Sequence, residues 1–209
     1  MIILDCEQGS DLWFKNKIGV PSASRYKEII TTTGDPSKSR LGYMYELATQ
    51  RITGIFKEGF KSQAMQDGND KEALSRWRYA MENEVIVDQV GFCTSDCGRW
   101  GCSPDGLIGD DGLLELKNPE GKTQLKRLEK NESLVSMGYF QQVQGQLFVM
   151  ERNWNDFVSC HTGLQLYTIR TEPDHEFLLK LESRLVEFCD ELDELCKKWG
   201  TVSLTNSER

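Results

Sequence analysis

Asp105, Glu115 and Lys117 are the residues of this sequence whose types and spacing can do chemistry together. They occur as Pro104-Asp105, nine further residues, then Glu115-Leu116-Lys117. Side chains alternate along a strand, so Glu115 and Lys117 share one face while Leu114 and Leu116 take the other. Gly109-Asp110-Asp111-Gly112 is a hairpin signal that returns Asp105 and Glu115 to the same end of a sheet. Two carboxylates and the Leu116 carbonyl make a hard-oxygen set suited to Mg²⁺, which keeps several waters. A lysine beside them offers positive charge to a phosphate oxygen or to a water losing its proton. The chemistry is metal-assisted phosphodiester hydrolysis. The same residues also suit an ordinary hairpin with exposed charges. Glu120-Gly121-Lys122 repeats the bare pattern in an expected loop after Pro119, without apolar flanks.

The elements that must position these groups follow from period and caps. Ser10 caps a short helix through Trp13 and Lys17, and Ser22 caps another reaching Ile30. Residues 31–37 read as an exposed loop, and residues 40–53 as a helix closed by Gly54. Across 67–84, Ala73, Trp77 and Ala80 recur at helical spacing and predict a buried stripe. Val85–Val87, Trp100–Cys102, Leu107–Ile108, Leu113–Lys117, Asp156–Cys160 and Leu164–Ile169 read as strands. Residues 138–151 form a helix with Phe140, Val143, Leu147 and Met150 on one face. A last helix, 174–199, carries Leu178, Leu181, Leu185, Phe188, Leu192, Leu195 and Trp199 at 3-4 spacing, a stripe expected to dock on the chain's own sheet. The class is α/β or α+β: a small central mixed sheet flanked by helices. One domain is expected over 1–209, with a helical part at about 1–66, a core at about 67–172 and the closing helix.

Composition bounds the answer. Hydrophobic residues are 38% and charged residues 28% of 209, with 18 Gly and 5 Pro, which excludes collagen, low-complexity disorder and a disulfide mini-scaffold. No apolar run approaches the ~20 residues of a membrane helix, and the acidic start Asp5-Cys6-Glu7 is unlike an export signal. Seven cysteines then read as reduced thiols in a cytoplasmic protein. The net charge of −8 argues against nucleic acid, yet residues 10–61 carry nine basic and five acidic side chains. That basic segment permits a DNA-facing surface without requiring one.

Cys102-Ser103-Pro104-Asp105-Gly106-Leu107 followed by Leu114-Glu115-Leu116-Lys117-Asn118-Pro119 resembles the core of the phage lambda exonuclease family, the viral (YqaJ-like) recombinases of the PD-(D/E)XK nuclease superfamily. Three further blocks resemble it in the same order: Glu7–Trp13 with Lys17–Ser24, Gly68–Glu72, and Tyr139–Gln144. The resemblance implies a restriction-endonuclease-like core in which Asp105, Glu115 and the Leu116 carbonyl hold Mg²⁺, with Mn²⁺ able to substitute and two ions per site. It implies that Lys117 orients or activates the attacking water, that Glu72 completes the site, and that Gln142 positions the water or the phosphate. Taken alone, Glu72 reads as an i,i+4 partner of Arg76 and Gln142 as an ordinary polar position. Lys17 falls where the family places an arginine against a terminal 5′-phosphate; it keeps the charge without the bidentate fork, and Arg25 is an alternative. Trp13 would stack on a base or wedge the duplex end, and Ser22 and Ser24 would contact phosphate or cap a helix. The implied activity is 5′-to-3′ removal of mononucleotides from linear double-stranded DNA, leaving a 3′ overhang for a single-strand annealing protein. The implied assembly is a homotrimeric ring in a bacterial cell, phage or prophage encoded.

Three rivals remain at this stage. Cys93-x₃-Cys97-x₄-Cys102 hints at an iron–sulfur or zinc site, but no fourth cysteine is near and neither His161 nor His175 is adjacent. The same carboxylates would serve a structure-specific endonuclease or resolvase. An acidic DNA mimic or scaffold would fit the net charge without needing Asp105, Glu115 and Lys117. A histidine-based nuclease lacks support, because only two histidines exist and neither is close to the acids in sequence.

Overall fold

A computed structural model describes residues 1–56 and 63–200, with side chains left out for 63–70; Lys57, Glu58 and Lys61 of the basic segment lie outside the described residues, as does 201–209. Helix α1 (Asp11–Lys17) starts at Ser10, whose side chain accepts from the Trp13 amide. A 3-10 helix (Ala23–Glu28) follows, then α2 (Arg40–Thr53), which ends on Gly54 in the left-handed region at φ 67°. The Ser22 side chain makes no cap hydrogen bond, contrary to expectation; its backbone N–H donates to the Tyr43 hydroxyl.

Strands β1 (Ile2–Ile3), β2 (Cys93–Thr94) and β3 (Gly101–Cys102) form a small antiparallel sheet. The mixed sheet that carries the site has the order β4 (Gly106–Ile108), β5 (Gly112–Lys117), β6 (Trp154–Ser159), β7 (Tyr167–Thr171). β4 and β5 are the expected hairpin, while β5 runs parallel to β6, with Glu115 opposite Phe157 and Lys117 opposite Ser159. Leu113, Glu115 and Lys117 therefore share a face with Asn155, Phe157 and Ser159. Leu114 and Leu116 share the other with Asp156 and Val158. That alternation splits the interior into two clusters, Leu113 and Phe157 in one, Leu114, Leu116, Val158 and Tyr79 in the other.

Helix α3 (Gln63–Asn83) covers the second cluster, but not with the stripe read from sequence. Trp77 is 62% exposed and Ala73 is also exposed, while Ser75 and Tyr79 are buried. The inward face is Glu72, Ser75, Arg76 and Tyr79, more polar than an apolar count can detect. Val85–Val87 is no strand; only Asp88 bridges to Leu107. Glu120-Gly121-Lys122 is not loop but the start of α4 (Gly121–Lys130), followed by α5 (Leu134–Met137).

Helix α6 (Phe140–Met150) lies across the site face, with Val143, Leu147 and Met150 buried. Gly145 lets it approach the 3-10 helix, because a Cβ there would stand 2.4 Å from the Tyr26 ring. Helix α7 (His175–Trp199) is capped by Asp174, which accepts from the Phe177 amide at 3.0 Å. Its stripe docks on α2 and α6 rather than on a sheet: Phe188 stacks on Tyr43 at 5.8 Å between ring centroids. Trp199, at the end of the stripe, is exposed.

Candidate active site

The end of β5 gathers the acids. Glu115 is 1% and Asp105 9% exposed. Asp105 Oδ2 accepts the Leu116 amide at 2.6 Å, so the Asp105 carboxyl lies along the edge of β5. A residue's N–H and C=O leave the same edge of a strand, which puts the Leu116 carbonyl on the Asp105 side. Glu115 Oε1 accepts from Lys117 Nζ and from Gln142 Nε2, the latter at 2.6 Å; Oε2 accepts from Gln146 Nε2 at 2.5 Å. Glu72 enters from α3, where Arg76 donates to it at 2.6 Å and also to the Asp105 carbonyl at 2.9 Å. The i,i+4 pair and the approach to the acids are thus one arrangement.

Burial and the neighbouring Glu115 push the Asp105 carboxyl well above its ordinary range, and burial raises Glu72 as well, against the pull of Arg76. Burial alone would lower Lys117, but Glu115 and Asp105 outweigh it and hold the ammonium above its usual value. Three acids beside one ammonium and the Arg76 guanidinium are still one positive charge short, and the donors are hard oxygens in a partly closed recess. A divalent cation of the Mg²⁺ type fits that set. Among the described residues no three His, Cys, Asp or Glu side chains are placed to hold a metal ion together, so a metal held by Asp105 and Glu115 would rely on the Leu116 carbonyl and on water for its remaining ligands.

The N-terminal residues fall beside this cluster. Trp13 Nε1 donates to Ser103 Oγ at 3.0 Å, and Gln8 donates to the Pro104 carbonyl at 2.8 Å, tying α1 to the loop that carries Asp105. Lys17 Nζ sits 3.7 Å from the Trp13 ring centroid, and burial holds its pKa down to about 8. Arg25 is engaged elsewhere: Glu28 grips its fork at 2.6 and 2.9 Å, Glu46 accepts at 2.5 Å, and its guanidinium lies 4.0 Å from the Tyr43 ring. Ser22 is buried and Ser24 exposed. On the other side of Asn118, which accepts from Ser75 Oγ at 2.5 Å, a cavity of about 640 Å³ opens among Lys71, Trp77, Arg78 and His161.

Sequence reading passed over Ser103 and Gln146. The signal for Gln146 was present: it stands four residues after Gln142, on the same face of α6. Nothing in Ser103 alone announced a contact with Trp13.

A mixed sheet with an Asp–Glu–Lys cluster on the β4–β5 hairpin, flanked by helices, defines a nuclease of the PD-(D/E)XK type. The YqaJ-like viral recombinase domain family matches residues 12–164, and the chain belongs to that family. The crystal structure of LHK-Exo, an alkaline exonuclease from Laribacter hongkongensis, is similar with a TM-score of 0.80 and 32% identity, over 90% of this chain and 95% of that one. LHK-Exo in complex with dAMP gives the same figures. A phage related exonuclease from Haemophilus somnus 129PT matches at TM-score 0.65 over 86% of this chain and 96% of that one; at 12% identity it shows the fold alone. No curated protein matches. Among the described residues no helix is long and apolar enough to cross a membrane.

Proposed function

We propose that this protein is a Mg²⁺-dependent exonuclease that degrades one strand of linear double-stranded DNA from its 5′ end to mononucleotides. The 3′ overhang it leaves is substrate for a single-strand annealing protein. The observation that carries the reading is the meeting of Asp105, Glu115 and Lys117 at the end of β5, with Trp13 and Lys17 docked against the same loop. Asp105, Glu115 and the Leu116 carbonyl would hold the metal, with Glu72 at a second ion. The bound ions would neutralise charge building on the phosphate and lower the pKa of the attacking water.

The chain's own groups supply the rest. Lys117, as an ammonium, donates to the attacking water or a phosphate oxygen. Gln142 keeps Glu115 turned toward the recess and stands next to the reacting phosphate. Lys17 receives a terminal 5′-phosphate, since Arg25 is already neutralised by Glu28 and Glu46. The net charge of −8 fits a homotrimeric ring in which basic surfaces line a DNA channel and acidic ones face outward. A cytoplasmic, phage-derived enzyme accords with the family. The test is hydrolysis of 5′-phosphorylated linear duplex beside closed-circular duplex of the same sequence, with and without Mg²⁺. Release of 5′-mononucleotides from the linear form alone is expected. Nicking or linearising the circle would replace this reading with an endonuclease.

A further inference from the structure

The site holds a buried polar chain that the reading above does not use. Glu115 Oε2 accepts from Gln146 Nε2 at 2.5 Å, and Gln146 Oε1 accepts from Asn155 Nδ2 at 2.8 Å. Gln146 is 1% exposed and Asn155 not exposed at all. Asn155 lies on β6 opposite Leu113, two residues before the buried Phe157. In that apolar setting its own Oδ1 has no hydrogen-bond partner among the described residues. An orphaned buried carbonyl disfavours folding, and an apolar side chain would avoid it. Apolar packing therefore gives no reason for an asparagine here.

Orientation does. A glutamine amide can turn over and exchange its N–H₂ and C=O ends at little steric cost. Turned over, Gln146 would present its carbonyl to Glu115 and repel it. The Asn155 N–H₂ prevents this, because it needs the Gln146 oxygen as its acceptor. Glu115 is then gripped at Oε2 from the protein interior, which leaves Oε1, shared by Lys117 and the half-buried Gln142, as the oxygen facing the recess.

We propose that Asn155 and Gln146 form a relay that fixes the metal-binding rotamer of Glu115, and that Asn155, at two removes from the ion, is a positioning residue for the cleavage reaction. The inference rests on the metal reading above. Partners of this kind change metal affinity by ~10–100-fold when removed.

The experiment is Mn²⁺ binding to the full chain, followed by the loss of the free-ion paramagnetic resonance signal, alongside thermal melting. Asn155→Leu removes the donor in a side chain of the same branched shape, and Asn155→Ala removes it without adding volume. Both leave the Gln146 carbonyl without its partner, so that the amide is free to turn over. Both are expected to bind Mn²⁺ ~10-fold or more weakly, and to melt below the wild-type temperature for the carbonyl they orphan and the volume they change. A loss of affinity in a variant still fully folded at the titration temperature is what a merely structural residue would not produce. Should Asn155→Leu fail to fold, Asn155→Ala decides. A change smaller than about fivefold in the folded variants overturns the relay. Asp105→Asn separates the two readings: if the wild type binds no Mn²⁺, or Asp105→Asn binds as tightly, the metal site itself falls and the relay with it. If Asp105→Asn abolishes binding while both Asn155 variants bind normally, only the relay falls.

Discussion

Lys117 and Glu115, two residues apart on β5, form an ion pair in which the carboxylate is fully enclosed and the ammonium is still partly open. The pair is asymmetric by construction: Glu115 is also held by Gln142 and Gln146, whereas Lys117 has its open side toward the recess. An ammonium so placed is oriented by the carboxylate and free to donate beyond it. Lys117→Ala should therefore lower the rate of duplex hydrolysis by ~10²–10³, the usual cost of removing one oriented donor from developing charge. Mn²⁺ binding should persist, because the oxygen ligands remain. Steady-state hydrolysis and metal titration on the same preparation check this. Activity within tenfold of wild type would reduce Lys117 to balancing the charge of Glu115.

The raised carboxyls make stability depend on pH in an unusual direction. Burial and Glu115 lift Asp105 above its ordinary 3.8, and burial lifts Glu72 above 4.5. In the window from those values upward the folded protein keeps protons that the unfolded chain has released. Stability from these groups is then greatest at low pH and declines as pH rises through the folded-state values. A divalent cation removes the penalty by taking the protons' place, so Mg²⁺ should stabilise the protein more at pH 8 than at pH 5. Urea melts at both pH values, with and without Mg²⁺, measure the difference. Asp105→Asn should flatten the pH dependence, and parallel curves for variant and wild type would count against a buried, proton-holding Asp105.

Lys17 and Arg25 can be told apart by the DNA end. Lys17→Ala should reduce the preference for 5′-phosphorylated over 5′-hydroxyl ends, while Arg25→Ala should leave the preference intact and cost ~1 kcal/mol or less through its partly exposed pairs. Because burial keeps the Lys17 pKa near 8, the wild-type preference should be larger at pH 7 than at pH 9. Initial rates on the two substrates across that range provide the ratio. An Arg25→Ala protein that loses the preference would move the phosphate to Glu28's partner.

The hairpin, the Asp–Glu–Lys spacing and the caps at Ser10 and Gly54 were legible because each rests on a few neighbouring residues. What was not legible depends on distant partners. The inward face of α3 is polar, and only the presence of Asn118, Asp105 and Asp156 across the gap makes Ser75, Arg76 and Tyr79 interior residues. Pro119-Glu120-Gly121 looks like loop, yet it starts α4, where Gln124 and Arg127 reach Ser159 on β6. The α7 stripe was plain, but a stripe does not name its partner, and α2 offered Tyr43, Met44 and Leu47 at matching spacing. Asn155 is invisible to any local rule, since its meaning comes from the register of β6 against β5 and from the approach of Gln146 on α6.

That register sets a last comparison. Asp156 follows Asn155 on β6 and points to the opposite face, where it accepts from the Tyr79 hydroxyl at 2.5 Å and from Arg170 at two atoms, each at 2.8 Å. Arg170 stacks on Trp154 at 3.8 Å, so the network fastens β7 and α3 to the back of the sheet. Asp156→Leu would leave the buried Tyr79 hydroxyl without its acceptor and should cost ~1–3 kcal/mol, Arg170 being open to water and able to rehydrate. Tyr79→Phe removes only a donor and should cost ~0.5–1.5 kcal/mol. Neither should move Mn²⁺ affinity by more than about threefold, well short of the ~10-fold change expected for ligand-orienting partners, because the network and Glu115 lie on opposite faces of the sheet. Denaturant melts and metal titration of the two variants test the separation: a large loss of metal affinity in Asp156→Leu would show the two faces of the sheet to be coupled.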